Sequence, residues 1–411
     1  MKAVGTEMDI RRVFKGETID RLRAALFYAA LTIEILVVLV DKSELHNPYE
    51  SGIFRATFVL TLAAVLIGRY TRREWAVIAL AFLFGIFCWR MTGRNEILRT
   101  LVFVTAAGGR SGQVMMKTAF FETAAGCVLI AMLSVMGIFG AQTVDSAVRM
   151  NEAASVRYCL GFGHPNALHC MFFMLLCMAM LSWGCRFRPV HYLLFLAADI
   201  GLWLLTDSRT GVMVTALLLL MGLLCTYREG APAKQRWPYI AGFATVAGCV
   251  AFSVWCAAVS FAVGYRHNAS LSRVVVFLDE KLNSRIAELY WASEHADLTT
   301  WRLFSGHGAE RYFDMGWCRL FYWYGIVPGA LAVVMVLLLV VRSGRRRDGI
   351  MLAVIVALSV YTVVEAHLVS VYIGRNFLLL VFGTCWGELL HVDRQDRVAL
   401  PSAFLRRESK T

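Results

Sequence analysis

Apolar runs of spanning length recur from Leu22 almost to the C-terminus, separated by short polar stretches that are mostly basic. About 20 consecutive apolar residues, folded as a helix, cross the hydrocarbon layer of a bilayer. Twelve such segments are predicted, at roughly 22–40, 52–68, 74–90, 96–108, 118–140, 164–182, 190–206, 210–226, 238–260, 322–341, 349–370 and 375–391. The fourth is short and carries Arg99. The pattern predicts an all-α, polytopic membrane protein with about twelve transmembrane helices. Residues 1–21 are polar, and Leu22–Val40 lacks a small-residue cleavage site, so no cleavable signal peptide is predicted.

Composition agrees with that class. Apolar residues make up 58% and charged residues 17%, against about 45–50% and about 25% in soluble domains. Eleven cysteines include no CxxC pair and no zinc-ligand spacing. Most, such as Cys127, Cys177 and Cys249, lie in apolar runs and read as small core residues. The formal charge of +12 sits in short loops between apolar runs, a membrane-topology pattern rather than a nucleic-acid footprint.

That charge orients the chain. With the N-terminus in the cytoplasm, every predicted inner segment is basic, from Lys2, Arg11, Arg12 and Lys15 to the run Arg342, Arg345, Arg346 and Arg347. Twelve spans place both termini inside; eleven would put that arginine run outside, against the positive-inside bias. Two outer loops are long, at about 141–163 and about 261–321. Residues 1–260 thus form a first membrane unit, 261–321 a large extracytoplasmic loop, and 322–411 a second membrane unit with a basic tail. Within the large loop Leu271, Val274, Val275, Leu278, Leu282, Ile286 and Leu289 have the spacing of one amphipathic helix over 271–290.

Candidate chemistry gathers at the outer ends of the segments. Segment six opens after Arg157 with Gly161-Phe162-Gly163-His164-Pro165-Asn166. Segment eight opens with Asp207-Ser208-Arg209-Thr210-Gly211, and segment twelve with Gly374-Arg375-Asn376. Each joins small or capping residues to an arginine at a helix N-terminus, where free N–H groups and the helix dipole favour an anion. Pro165 suits a first turn. The plainer alternative is that these arginines snorkel to lipid phosphates. The large loop adds Arg285, Gly306-His307-Gly308, Glu310 and Asp314. Glu365 lies within a predicted span and most plausibly pairs with an arginine. Glu34 and Asp199 also lie within spans, with no constellation near them in sequence. No metal-binding motif is visible, so phosphate chemistry here rests on arginine.

At these residues the sequence resembles a family. RYCLGFGHPNAL from Arg157 to Leu168, Thr206-Asp207-Ser208-Arg209-Thr210-Gly211, and the stretch from Leu282-Asn283-Ser284-Arg285 through Ser305-Gly306-His307-Gly308 to Asp314 and Tyr324-Gly325-Ile326 look like bacterial polysaccharide repeat-unit polymerases. These belong to the O-antigen polymerase and ligase superfamily. Glu365 with Asn376 resembles the tail of the pattern. The resemblance implies a C-type glycosyltransferase in the bacterial cytoplasmic membrane. It would polymerise undecaprenyl-diphosphate-linked oligosaccharides at the outer face without a metal or other cofactor. Membrane lipids, a flippase and a chain-length regulator are the implied partners, and nucleic acid is not one. Arg157, Gly161, Gly163, His164, Asn166, Ser208, Arg209 and Arg375 are then expected to hold the donor diphosphate. His307, Asp314 and Arg285 are expected to serve catalysis, with Glu365 and Asn376 supporting them. Related ligases carry His-Asn about where this chain has Asp314-Met315, and polymerases usually carry Asp-Asn, so His307 and Asp314 both stand as the general base. A ligase acting on a finished glycan, a transporter and a non-catalytic scaffold are the competing readings.

The topology has a direct test. In a cysteine-free background, a cysteine at position 295 is expected to react with impermeant label from outside, and one at position 346 only from the cytoplasm. The reverse at either site breaks the twelve-span arrangement.

Overall fold

The structure is a computed structural model, and it describes residues 2–146, 155–227, 236–264, 273–292, 301–305 and 313–390. The chain is an all-α polytopic membrane protein. Its helices are α1 (Lys2–Lys42), α2 (Glu50–Leu66), α3 (Arg72–Thr92), α4 (Glu96–Ala107), α5 (Gly112–Val135), α6 (Pro165–Trp183), α7 (Pro189–Thr206), α8 (Arg209–Tyr227), α9 (Trp237–Gly264), α10 (Arg273–Lys281), α11 (Arg285–Ala292), α12 (Gly316–Tyr324), α13 (Ile326–Arg346), α14 (Gly349–Thr362) and α15 (Leu378–Leu389). Among the described residues eight helices are long and apolar enough to cross a membrane: α1 from Glu17, α3, α5, α6, α7, α8, α9 and α13. Leu80, Leu83, Leu193, Leu194 and Leu204 stand exposed on α3 and α7, an apolar surface that is stable only against lipid.

The interior is built on α6 and α14. In α6, 72% of the spanning window is buried, against 17% in α7. Nearly every residue of α14 from Ile350 to Thr362 is buried. Small residues bring α15 onto α4. A side chain at Gly383 would strike Ala107, and one at Gly387 would strike the backbone of Gly108 and Gly109. This Gly-x-x-x-Gly spacing permits close helix crossing where lipid supplies no hydrophobic drive.

Each of the twelve predicted segments contains a helix, but four regions differ from the expected pattern. First, α4 is a 12-residue helix that is buried rather than lipid-facing. Its Arg99 pairs with Glu34 at 3.3 Å, donates to the Val371 carbonyl at 3.2 Å and stacks over the Phe54 ring. Glu34 also accepts from Thr57 at 2.6 Å, so it does have a constellation. Second, the amphipathic stretch is two helices. Asn283 and Ser284 take positive φ values of 58° and 61°, and the Asp279 carboxylate caps α11 by accepting from the N–H groups of Ile286 and Ala287. Third, segment ten is interrupted at Gly325, leaving α12 wholly buried before α13 begins. Fourth, segments eleven and twelve are α14 and α15, only 14 and 12 residues long. Residues 363–377 between them are non-helical apart from the turn Ile373–Arg375. Irregular backbone of this kind is tolerated in a membrane protein where protein or a water-filled cavity surrounds it.

Between α5 and α6, β1 (Thr143–Ser146) pairs antiparallel with β2 (Ser155–Tyr158), with Val144 opposite Arg157. A second backbone junction lies at Gly325. Ser305 N–H donates to the Tyr324 carbonyl, and Ile326 and Val327 N–H donate to the carbonyls of Arg302 and Leu303. Gly325 itself has φ 92° and ψ 179°, a region open almost solely to glycine. A Cβ there would lie 2.6 Å from Phe304 Cα. Gly325→Ala is expected to cost about 1–3 kcal/mol in strain and to lower the melting temperature of detergent-purified protein. Gly52→Ala, where an added Cβ meets nothing within 4 Å, is the helix control and should be neutral or better by about 0.5–1 kcal/mol.

Candidate functional site

The first half of the site is assembled by β2, the turn after it, and the ends of α6, α7 and α8. Leu160, Gly161 and Gly163 all have positive φ. That tight turn lays the Gly161 backbone against Gly140, and the Gly161 carbonyl accepts from Glu44 N–H after α1. His164 caps α6, its Nδ1 accepting from Asn166 N–H at 3.1 Å, and Pro165 takes the first helical turn. Asp207 closes α7 in the left-handed conformation at φ 44°. The chain turns there directly into Ser208 and α8, with the Ser208 carbonyl accepting from Val212 N–H.

Arg157 locks these pieces together. It is 4% exposed; its Nε donates to the Thr206 carbonyl at 2.7 Å, and its Nη2 donates to Asn166 Oδ1 at 3.2 Å. Arg209 is different. It starts α8 half exposed and lies 3.5 Å from the Asp207 carboxylate. Of the two arginines predicted here, Arg157 therefore acts as a clamp, while Arg209 stands half exposed beside Asp207.

The second half is centred on Arg285. Its Nη2 donates to Asp314 Oδ2 at 3.3 Å and to Glu365 Oε1 at 3.2 Å. Arg285 comes from α11, Asp314 from the turn before α12, and Glu365 from the non-helical stretch after α14. Arg319 on α12, 1% exposed, donates to the carbonyls of Phe313 and Val369 and stacks over Trp323. Arg375 is buried in the turn Ile373–Arg375. Its charge and that of Lys42, at the end of α1, both act on Glu365. Asn376 is committed to the backbone: its amide donates to the Leu368 carbonyl, and its Oδ1 accepts from Leu378 N–H.

The two halves meet. His164 lies within electrostatic reach of both Arg157 and Asp314. The structure thus brings Arg157, Gly161, Gly163, His164, Asn166, Ser208 and Arg209 together at one corner, with Arg285, Asp314, Glu365, Arg375 and Asn376 alongside. His307 and Glu310 lie outside the described residues.

Sequence reasoning missed three features here. Lys42 follows an apolar run, and only the fold carries it beside Glu365. Glu288 stands one helical turn after Arg285 on α11, and burial together with the charge of Asp314 pushes its carboxyl up to about 7, against the opposing pull of Arg285 and Arg319. The spacing of Arg285 and Glu288 was the available signal for it. The third is a fully buried pair beneath the clamp. His169 Nε2 lies 2.9 Å from Asp199 Oδ1, and His169 Nδ1 lies 3.4 Å from Thr206 Oγ1. Gly211 of α8 packs on the same imidazole ring. Asp199 therefore does belong to a constellation, one that pins α6, α7 and α8 below the Arg157 contact.

Behind the 373–377 turn lies a narrow apolar cavity between α1, α5, α6 and α15. Leu31, Ile35, Met171, Met174 and Met178 line it, with Gly374 and Asn376 at its polar edge. The three methionines recur at helical spacing on α6, and unbranched thioether side chains adapt to an irregular apolar guest. Comparison with family models, with curated proteins and with solved structures finds no match for this chain.

The His169–Asp199 pair yields a stability prediction. Asp199→Leu leaves the ring buried without its carboxylate and is expected to cost about 3–5 kcal/mol, as removal of one partner of a buried pair does. The double variant His169→Leu/Asp199→Leu should lose less than the two single losses added together. Thermal melting of the purified variants measures both; strict additivity would show that the pair is not coupled.

Proposed function

We propose that this chain is a polysaccharide repeat-unit polymerase of the bacterial cytoplasmic membrane, with twelve membrane crossings, both termini inside, and its site at the outer face. The observation that carries the reading is the convergence of Arg285, Arg375, Arg319 and Lys42 with Asp314, Glu365 and Glu288 beside an apolar cavity. Transfer of an oligosaccharide from a lipid diphosphate develops negative charge on the leaving group. Preorganised cationic and N–H donors stabilise such charge most where water is excluded. Arg209, at the N-terminus of α8 and half exposed, supplies a guanidinium fork for a phosphate. Arg157 and the His169–Asp199 pair hold that corner in place. The large outer loop admits the polar acceptor.

One observation favours a second reading. Two short helices, α14 and α15, flank the irregular stretch 363–377, and discontinuous helices around a polar site also occur in transporters. Turnover in detergent separates the two, because a micelle has no sides to transport between. A ligase differs from a polymerase in the lipid left behind. A deletion strain lacking a polymerase accumulates single repeat units on undecaprenyl diphosphate, whereas one lacking a ligase accumulates long chains.

Arg209→Ala is expected to leave folded protein in the membrane and to abolish long-chain polymer. Arg209→Lys should restore it only in part, since an ammonium does not reproduce a bidentate guanidinium contact. Polymer length on a gel reads the result; normal length in Arg209→Ala removes this residue from the site.

A further inference from the structure

The site holds three carboxylates, and they are not equivalent. Asp314 and Glu365 both accept from the same nitrogen of Arg285, at 3.3 and 3.2 Å. One guanidinium thereby holds both carboxylates in fixed positions. Glu288 stands apart. Among the described residues no hydrogen bond and no ion pair reaches its carboxylate. It shares a face of α11 with Arg285, three residues away, while Ile286 and Leu289 are fully buried on the neighbouring face. The charged groups acting on it are Asp314, before α12, Arg319, on α12, and Arg285, on its own helix. Glu288 is therefore the one described carboxylate of the cluster that no ion pair holds, and it lies within electrostatic reach of Asp314.

We propose that Glu288 accepts the proton of the attacking sugar hydroxyl during glycosyl transfer. This rests on the reading of the chain as a lipid-diphosphate glycosyltransferase. The acceptor oxygen forms a bond to the anomeric carbon as the bond from that carbon to the phosphate oxygen breaks. The electron pair of the broken bond leaves with the lipid diphosphate, which the surrounding arginines hold. The hydroxyl proton passes to the Glu288 carboxylate and then to water, restoring the base. Arg285 plays a separate part. By fixing Asp314 it keeps that carboxylate within electrostatic reach of Glu288, where its charge disfavours ionisation of the glutamate. A base of this kind works best when its own pKa lies near the working pH, and the carboxyl of Glu288 is held at about 7. Asp314 thereby moves from proton acceptor to positioning residue.

The test uses the purified full-length protein with an undecaprenyl-diphosphate-linked oligosaccharide, scored as glycosidic product in detergent. Wild-type turnover should rise with pH through about 7, because the group acts only when deprotonated. Glu288→Gln, close to isosteric, should lose roughly 10²–10⁴-fold in kcat, keep its donor KM, and lose the pH-dependent rise. Glu288→Asp should retain the rise at a lower rate, and so tests the carboxylate even where the glutamine variant folds poorly. Asp314→Asn should keep a pH-dependent rise. Glu288→Gln retaining more than about a tenth of wild-type kcat, or an unchanged pH profile, overturns the assignment while leaving glycosyl transfer intact. Wild-type protein that forms no glycosidic bond overturns the underlying reading itself, and this proposal with it.

Discussion

Arg285 is the contact on which three irregular stretches of the molecule depend. One guanidinium nitrogen joins Asp314, 29 residues away, to Glu365, 80 residues away, and so ties the large loop, the approach to α12 and the interrupted stretch after α14 into one unit. Each of these three pieces is irregular on its own account. Asn283-Ser284 breaks an amphipathic run, Gly325 breaks a spanning run, and residues 363–377 break a third. Irregular backbone near lipid needs internal partners for its N–H and C=O groups. Here part of that satisfaction comes from the same side chains that make the site: Arg319 donates to Val369 and Phe313 carbonyls, and Asn376 bridges Leu368 to Leu378. The polar cluster and the break in the helices therefore require each other.

The existence of the helices was legible in the sequence because it depends on local properties: run length, apolar content and caps. Pro165 behind His164, and Thr71 three residues before Glu74, mark their helix starts in sequence and in structure alike. What the run lengths hid was interruption. Apolar residues continue through 363–364 and across Gly325 without a change in hydropathy, so a pattern of apolar content reads straight over the break. The break comes instead from tertiary contact, with Leu303 to Ser305 occupying the space a side chain at Gly325 would need.

The same division holds for the candidate site. Helix starts and ends at these residues were legible, because glycine, proline and capping side chains announce themselves locally. Arg157 stood out locally as well, but its hydrogen bonds to the Thr206 carbonyl and Asn166 join residues that nothing local links. Pairs of intramembrane ionisable residues were not found as pairs. Glu34 and Arg99 are 65 positions apart, and His169 and Asp199 are 30 apart. Nothing local links them, and each alone looks like an isolated polar residue in a span. The general rule that such residues are paired and functional was the usable signal. It identifies which residues have partners but leaves the partners unnamed.

Competition for the guanidinium groups explains why the carboxylates divide as they do. Asp314, Glu365 and Glu288, crowded beside the guanidinium groups of Arg285, Arg319 and Arg375, do not share their neighbours' charge equally. Two occupy one nitrogen of Arg285, and the third is left with burial and the field of Asp314. Like charges held close raise the cost of ionising the last member of the set. An arrangement that only stabilised the fold would gain by pairing all three, since an unclaimed, partly buried carboxylate contributes nothing to packing. Leaving Glu288 unclaimed one turn from Arg285 makes sense where a proton has to be taken up and released in the working pH range. Arg209 differs from Arg157 in the same way: it stands half exposed beside Asp207, at the helix start that Arg157 holds through the Thr206 carbonyl.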